Sequence, residues 1–129
     1  MIHVRGDIRI EAYMNESILL SVKKALGLTD DYTYFDRDII MHINSVFTVL
    51  NQLGVGPDAG FFINDSSALW SDYGEMARLE FIKSYMYLKV RLLFDPPTSS
   101  FVLSSMETMA RELEWRINVM AETLSNTQG

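Results

Sequence analysis

Few residues of this chain could carry out chemistry. There is no cysteine, and the two histidines are His3 and His42, so a thiol nucleophile and a cysteine zinc site are excluded. Asp38 and His42 are four residues apart and would share one face of a helix, where they could supply half of a metal site. No second histidine or carboxylate pair has the spacing to complete it. We therefore expect no metal and interpret His42 as structural.

Two further segments resemble ligand-binding loops in composition only. The acidic segment TDDYTYFDRD, 29–38, lacks the alternating ligands and central glycine of a calcium loop. The segment GVGPDAG, 54–60, lacks the Lys-Ser/Thr ending of a phosphate loop. The serines have no evident base, and no paired carboxylates mark a cleft. The sequence thus predicts no catalytic residue, no cofactor and no enzyme activity.

The composition is typical of one globular domain. The chain has 129 residues, 48% of them hydrophobic, and 17 acidic against 11 basic residues give a net charge of −6. The basic residues are scattered, which argues against a surface that grips nucleic-acid phosphates, although an acidic wall would suit DNA that slides past. No apolar run reaches membrane-spanning length, so we expect a soluble protein with no membrane partner.

The first fourteen residues have two interpretations. Apolar and polar residues alternate from Ile2 to Met14, which is the period of a half-buried strand. Such a strand would have to pair with another segment or another subunit. Alternatively, residues 1–14 are a flexible leader that precedes Met14. The domain prediction is therefore an extended arm or leader at 1–14, a helical domain at 15–124 and a flexible tail at 125–129.

The first half of the domain predicts two helices and a long loop. Asn15 is a plausible N-cap for the first helix, which Gly27 ends, and the second runs from about Arg37 to Leu53. The following stretch VGPDAGFFINDSSALWSD, 55–72, is too rich in turn residues for a helix. Its aromatic residues either fold back onto the core or form contacts with a partner. These residues are Phe61, Phe62 and Trp70.

The second half predicts two long antiparallel helices. Asp72 with Glu75 resembles a capping box for the third helix, and Pro96 and Pro97 must end that helix near Phe94. The fourth helix should run from about Ser100 to Leu124. Its apolar residues recur at steps of three and four, which predicts a seam against a partner helix. The seam consists of Leu103, Met106, Ala110, Leu113, Ile117, Met120 and Leu124.

Trp115 and Arg116 lie beside this seam and not in it. Exposed tryptophan and arginine are common anchors of protein interfaces. A second interpretation places Trp115 under the acidic loop, and the sequence does not choose between them. In total the pattern predicts an all-α, compact bundle of about four helices with a long loop between the second and third.

Several segments resemble a known family. The segments SVKKALGLTDD, FDRDIIMHINSVFTVLNQLGVGP, ALWSDY and YMYLKVRLLFDPPTSSFVLSSMETMARELEWRIN occur in the order found in small head-tail connector proteins of tailed phages and prophages. The resemblance spans Asn15 to Glu122, and LLFDPP with ELEWR is its most specific part. It implies a structural adaptor with a helical bundle and no catalysis.

The resemblance also implies partners and a location. Connectors of this kind self-associate into a ring, commonly of about twelve subunits, that docks on the portal protein and receives a tail or stopper protein. Genomic DNA passes through the ring without tight or specific binding. The implied location is the head-tail junction of the virion, with the host cytoplasm during assembly.

We predict two sets of contact residues on this basis. For portal docking the prediction is the terminal segment, with Trp115, Arg116, Val119, Met120 and Leu124. For the opposite ring face or the neighbouring subunit it is Phe61, Phe62 and Trp70. The alternative function is a small helical regulatory module, whose groove of methionine and aromatic residues binds a peptide or apolar ligand.

Overall fold

The structure, a computed structural model, describes residues 15–128 and, within the last helix, side chains up to residue 123. Over that range it contains five α-helices and no strand, which confirms the all-α prediction. The arm predicted at 1–14 lies outside the described residues. The helices are α1 (Ile18–Ala25), α2 (Asp36–Gln52), α3 (Trp70–Tyr73), α4 (Leu79–Phe94) and α5 (Ser100–Gln128), with a 3-10 turn at Met76–Arg78.

Helix α4 is the centre of the bundle, because it packs against α1 and α2 on one side and against α5 on another. Its core face carries Ile82, Met86 and Val90, all fully buried. These side chains meet the apolar face of α2, where Ile39, Ile43 and Leu50 are also fully buried. Residues at steps of three and four thus line one face of each helix, as the sequence predicts.

The start of α1 differs from the prediction. The N-cap is Ser17, whose hydroxyl accepts a hydrogen bond from the Leu20 N–H at 3.3 Å, and not Asn15. The backbone around Ser17 is extended and forms one antiparallel bridge with Leu69. Because this pairing needs extended backbone, the helix cannot start before Ile18.

The start of the third predicted helix is also different. Asp72 belongs to the short helix α3, where its carboxylate accepts from the Leu69 N–H at 2.8 Å. Gly74, with φ 84°, and Glu75, with φ 59°, then reverse the chain, and α4 begins only at Leu79. Two consecutive residues with positive φ cannot continue a right-handed helix, so the capping box predicted from Asp72 and Glu75 was wrong.

Helix α5 begins at Ser100 as predicted and continues to Gln128, so residues 125–128, predicted as a tail, are helical. Its seam is only partly covered. Ala110 and Ile117 are buried, whereas Leu103, Met106, Leu113 and Met120 are half-buried. The reason is that α5 packs chiefly on one neighbour, α4, at the edge of the bundle.

Candidate docking surface

Trp115 and Arg116 lie on the outer side of α5. The Trp115 side chain is 66% exposed, which excludes the interpretation that it packs under the acidic loop. Arg116 donates to the Glu112 carboxylate one turn earlier at 2.9 Å, and both side chains are more than half exposed. A large exposed aromatic ring beside a guanidinium held in place is suited to contact with another protein.

The remaining residues of the predicted portal set are less accessible. Val119 is half-buried, and Met120 is half-buried against the core. The side chain of Leu124 lies outside the described residues. Near residues 118–121 the helix contacts the loop that follows α2: Asn118 donates to the Leu53 carbonyl at 3.3 Å, and a Cβ on Gly54 would lie 3.2 Å from that of Ala121. Beyond Ala121 the helix continues for seven residues, about 10 Å.

Three aromatic residues in and just after the long loop 53–69 lie in three different environments. Phe62 is 62% exposed and remains a candidate contact. Phe61 is half-buried, with its ring 5.0 Å from that of Phe47 and 5.3 Å from that of Tyr73. Trp70 is fully buried, so its prediction as an interface residue was wrong. Its indole instead fills the core between α1, α2 and α4.

Trp70 is fixed by a partner distant in sequence. Its Nε1 donates to the hydroxyl of Ser21 at 3.0 Å, while the Ser21 hydroxyl donates to the Ile18 carbonyl at 2.9 Å. The loop is further held by Asn44 of α2, whose amide accepts from the Ile63 N–H at 2.8 Å and donates to its carbonyl at 3.0 Å. These bonds hold the loop against α2 and place Phe62 beside that helix.

Two buried lysines tie irregular segments to the bundle, and the sequence reading missed both. Lys23 is fully buried and contacts the Asp36 carboxylate at 2.8 Å and the Asp30 carbonyl at 3.1 Å, which closes the acidic loop around α1. Lys83, only 2% exposed, contacts the Glu16 carboxylate at 2.9 Å and lies 5.6 Å from the Trp70 ring centroid. Lys83 had a detectable signal, since it falls four residues after Leu79 and three before Met86, on the core face of α4.

Further exposed apolar side chains, also missed, lie on the first half of α5 and, separately, on α2. Phe101 is 79% exposed, Met109 54% and Met41, on α2, 58%. A shallow hollow on α5 is lined by Phe101, Ser104, Ser105 and Thr108.

Three of the described titratable groups have a pKa shifted from its ordinary value. Burial raises the pKa of Tyr73, and the nearby Glu75 raises it further; burial raises the pKa of Tyr85, with a further increase from Glu114. Hydrogen bonds from the hydroxyl and N–H of Ser67 lower the pKa of the exposed Asp65 carboxyl. Within 15–128 no three side chains form a group that could hold a metal ion. Nor does any helix of this range have the length and apolarity to cross a membrane.

Comparison with known proteins identifies the family. The family model described as "Phage connector protein" matches residues 18–123, which cover the whole bundle from α1 through most of α5. No curated protein and no solved structure matches the chain. The matched range includes the Pro96-Pro97 reversal, the exposed Trp115 and the loop held by Asn44. The chain therefore belongs to the phage connector protein family, whose members are structural proteins of the phage particle.

Proposed function

We propose that this connector forms a ring of about twelve subunits. The ring docks on the portal protein and receives a tail or stopper protein on its other face. DNA would pass through the ring without being gripped, which is consistent with a net charge of −6 and scattered basic residues. The subunits would act through shape and contact area and not through chemistry.

The observation that carries this proposal is the exposed outer side of α5 at Trp115. The tryptophan is 66% exposed, and the helix that bears it extends to Gln128. A portal surface that covered the Trp115 indole would remove a large apolar area from water. The gain would be about 25 cal/mol per Å² of apolar surface buried, before the cost of association. Arg116, whose guanidinium is already oriented by Glu112, would lie next to the buried indole.

Substitution of Trp115 by alanine tests the docking surface. Because its side chain is mostly exposed, Trp115→Ala should change the free energy of unfolding by less than about 0.5 kcal/mol. If Trp115 is an anchor, binding to the cognate portal protein should weaken by about tenfold or more. Affinity can be measured by surface plasmon resonance on immobilised portal rings.

Tyr34→Ala is the control, since Tyr34 is also an exposed aromatic residue but lies in the acidic loop and in neither predicted contact set. It should leave portal affinity within about threefold of the unsubstituted chain. Removing residues 117–129 is a stronger version of the test, but it also removes the buried Ile117. Its effect on folding must therefore be measured first. Unchanged portal affinity in Trp115→Ala would remove this side of α5 from the docking surface.

A further inference from the structure

We propose that the N-terminal segment 1–14 folds back on its own chain and covers a groove between α4 and α5, with Ile8 and Ile10 as the side chains that fill it. The groove is lined by Ser84 of α4 and by Met109, Glu112, Leu113 and Arg116 of α5. The segment lies outside the described residues and before the range matched by the family model. Its cover of the groove does not depend on the ring of the proposed function.

The segment joins the bundle beside this groove. The carboxylate of Glu16, two residues after the segment ends, contacts the buried Lys83 of α4 at 2.9 Å, and its carbonyl accepts from the Trp70 N–H at 3.1 Å. Ser84, the next residue of α4, points about 100° around the helix from Lys83 and lines the groove. Glu80, one turn earlier, points between these two directions and is exposed. Among the described residues, the surface of α4 from Glu16 to the groove is therefore open.

The segment can reach the groove in any regular conformation. Ile10 and Ile8 precede Glu16 by six and eight residues. Such a stretch spans about 9–12 Å as a helix and about 20–26 Å as a strand. Packed helices are about 8–10 Å apart, so the centre of the groove lies within either distance of the α4 axis. Residues 12–14 then cover the path from Glu16 to the groove.

Both the segment and the groove have apolar surface to bury. The segment contains four branched aliphatic residues, which are Ile2, Val4, Ile8 and Ile10. In the groove Met109 is 54% exposed and Leu113 is half-buried. Contact between them would remove apolar surface of both from water, and the unbranched methionine can adapt its shape to the occupant.

The size and charges of the groove fit side chains of a chain segment. Its volume is about 270 Å³, below the roughly 300–1,000 Å³ that is usual for small-molecule sites. Its two charged residues, Glu112 and Arg116, pair with each other at 2.9 Å. An apolar occupant placed over Met109 and Leu113 therefore leaves each of these charges with its partner.

Charge and attachment favour this segment over a second copy. Two arginines and two acids give the segment a net charge of zero, so residues 15–129 carry the whole net charge of −6. A second copy is therefore repelled, whereas the segment is not, and Arg9 is opposite in charge to the exposed Glu80 on its path. Because the segment is attached beside the groove, its effective concentration there is about millimolar.

The labelling rate of an introduced cysteine tests the cover, and the absence of native cysteine gives a clean background. Met109→Cys places a thiol in the groove of the full chain. Ile8→Asn combined with Ile10→Asn should then speed its reaction with a maleimide about tenfold, because a groove covered nine-tenths of the time is protected by about that factor. The matched control, Arg5→Asn combined with Arg9→Asn, should leave the rate within about threefold, since exposed charge pairs contribute little.

Thr108→Cys shows whether α5 itself has changed, because Thr108 is the preceding residue, is exposed and lines a different hollow. Its labelling rate should be the same with and without the two isoleucines. Equal acceleration at positions 108 and 109 would overturn the proposal, because the isoleucines would then hold α5 in place and not cover the groove. An unchanged rate at position 109 would also overturn it.

Dilution distinguishes the chain's own segment from that of another copy. Protection of Met109→Cys should persist on dilution across about two orders of magnitude, because an attached segment keeps its effective concentration. Protection that disappears on dilution would assign the groove to a second copy and overturn the proposal. No portal protein is present in these measurements, so their outcome is separate from the test of the proposed function.

Discussion

The indole Nε1 of Trp70 donates a 3.0 Å hydrogen bond to the hydroxyl of Ser21, a residue 49 positions earlier in the chain. The bond joins the end of the long loop to α1 in the centre of the core. Both side chains are buried, so neither polar group has water as an alternative partner. The loop is therefore an integral part of the bundle, and the backbone that carries its exposed Phe62 is held in place.

Ser21→Ala should lower the free energy of unfolding by about 1 to 3 kcal/mol, because it leaves the buried Trp70 N–H without an acceptor. Urea denaturation followed by circular dichroism measures the change. Ser45→Ala is the control, since the Ser45 hydroxyl is exposed and bonds only to its own helix, and it should be nearly neutral. Equal effects of the two substitutions would contradict the role given to the Ser21 bond.

Glu16→Gln should destabilise the fold by about 1 to 3 kcal/mol, since it removes the charge opposite the buried Lys83. The expected cost is below that of a fully buried pair, because the Glu16 side chain is 36% exposed. Glu112→Gln, in the exposed pair with Arg116, is the control and should cost about 0.5 kcal/mol or less. A larger loss of stability in Glu112→Gln than in Glu16→Gln would show that the Glu112–Arg116 pair, and not the Glu16–Lys83 pair, stabilises the fold.

Ile117→Ala should cost about 2 to 5 kcal/mol, because Ile117 is fully buried where α5 meets the body. Leu113→Ala, one turn earlier, should cost less, about 1 to 2 kcal/mol, since Leu113 is only half-buried. Thermal or chemical denaturation of both variants gives the ranking. If Leu113→Ala proved the more costly, the structure would have the wrong side of α5 against the bundle.

Stability should fall as the pH rises above about 10. The pKa values of Tyr73 and Tyr85 are raised in the fold, so above the ordinary tyrosine pKa of about 10 the unfolded chain loses protons that the folded chain keeps. Ionisation then favours unfolding, whereas below pH 10 this contribution to stability is fully present. Tyr85→Phe should make the loss between pH 9 and pH 11 less steep, as measured by urea denaturation at each pH. An unchanged slope would show that Tyr85 ionises equally in both states.

The sequence was sufficient to predict α1, α2, α4 and α5 and the reversal between α4 and α5, but not the short helix α3. Pro96 and Pro97 restrict the backbone locally, and the apolar period of α5 is continuous, so neither prediction needed knowledge of distant contacts. The resemblance to phage connectors is confirmed by the family match over residues 18–123.

Burial that depends on distant partners could not be predicted in the same way. From the sequence alone Trp70 resembles an exposed loop residue, because its partners Ser21 and the core face of α2 are distant along the chain. The hollow beside Phe101 likewise became apparent only when the residues around it took their places on a helix. Which ring face meets the portal depends on assembly, and here Trp115 and Arg116 remain a prediction.

Electron microscopy of the purified chain mixed with its cognate portal protein tests the central claim most directly. The account predicts a ring of the chain stacked coaxially on the portal, with an open bore and with the outer side of α5 at Trp115 in the contact. A chain that stays a monomer and leaves the portal bare, at every salt concentration tried, would contradict it.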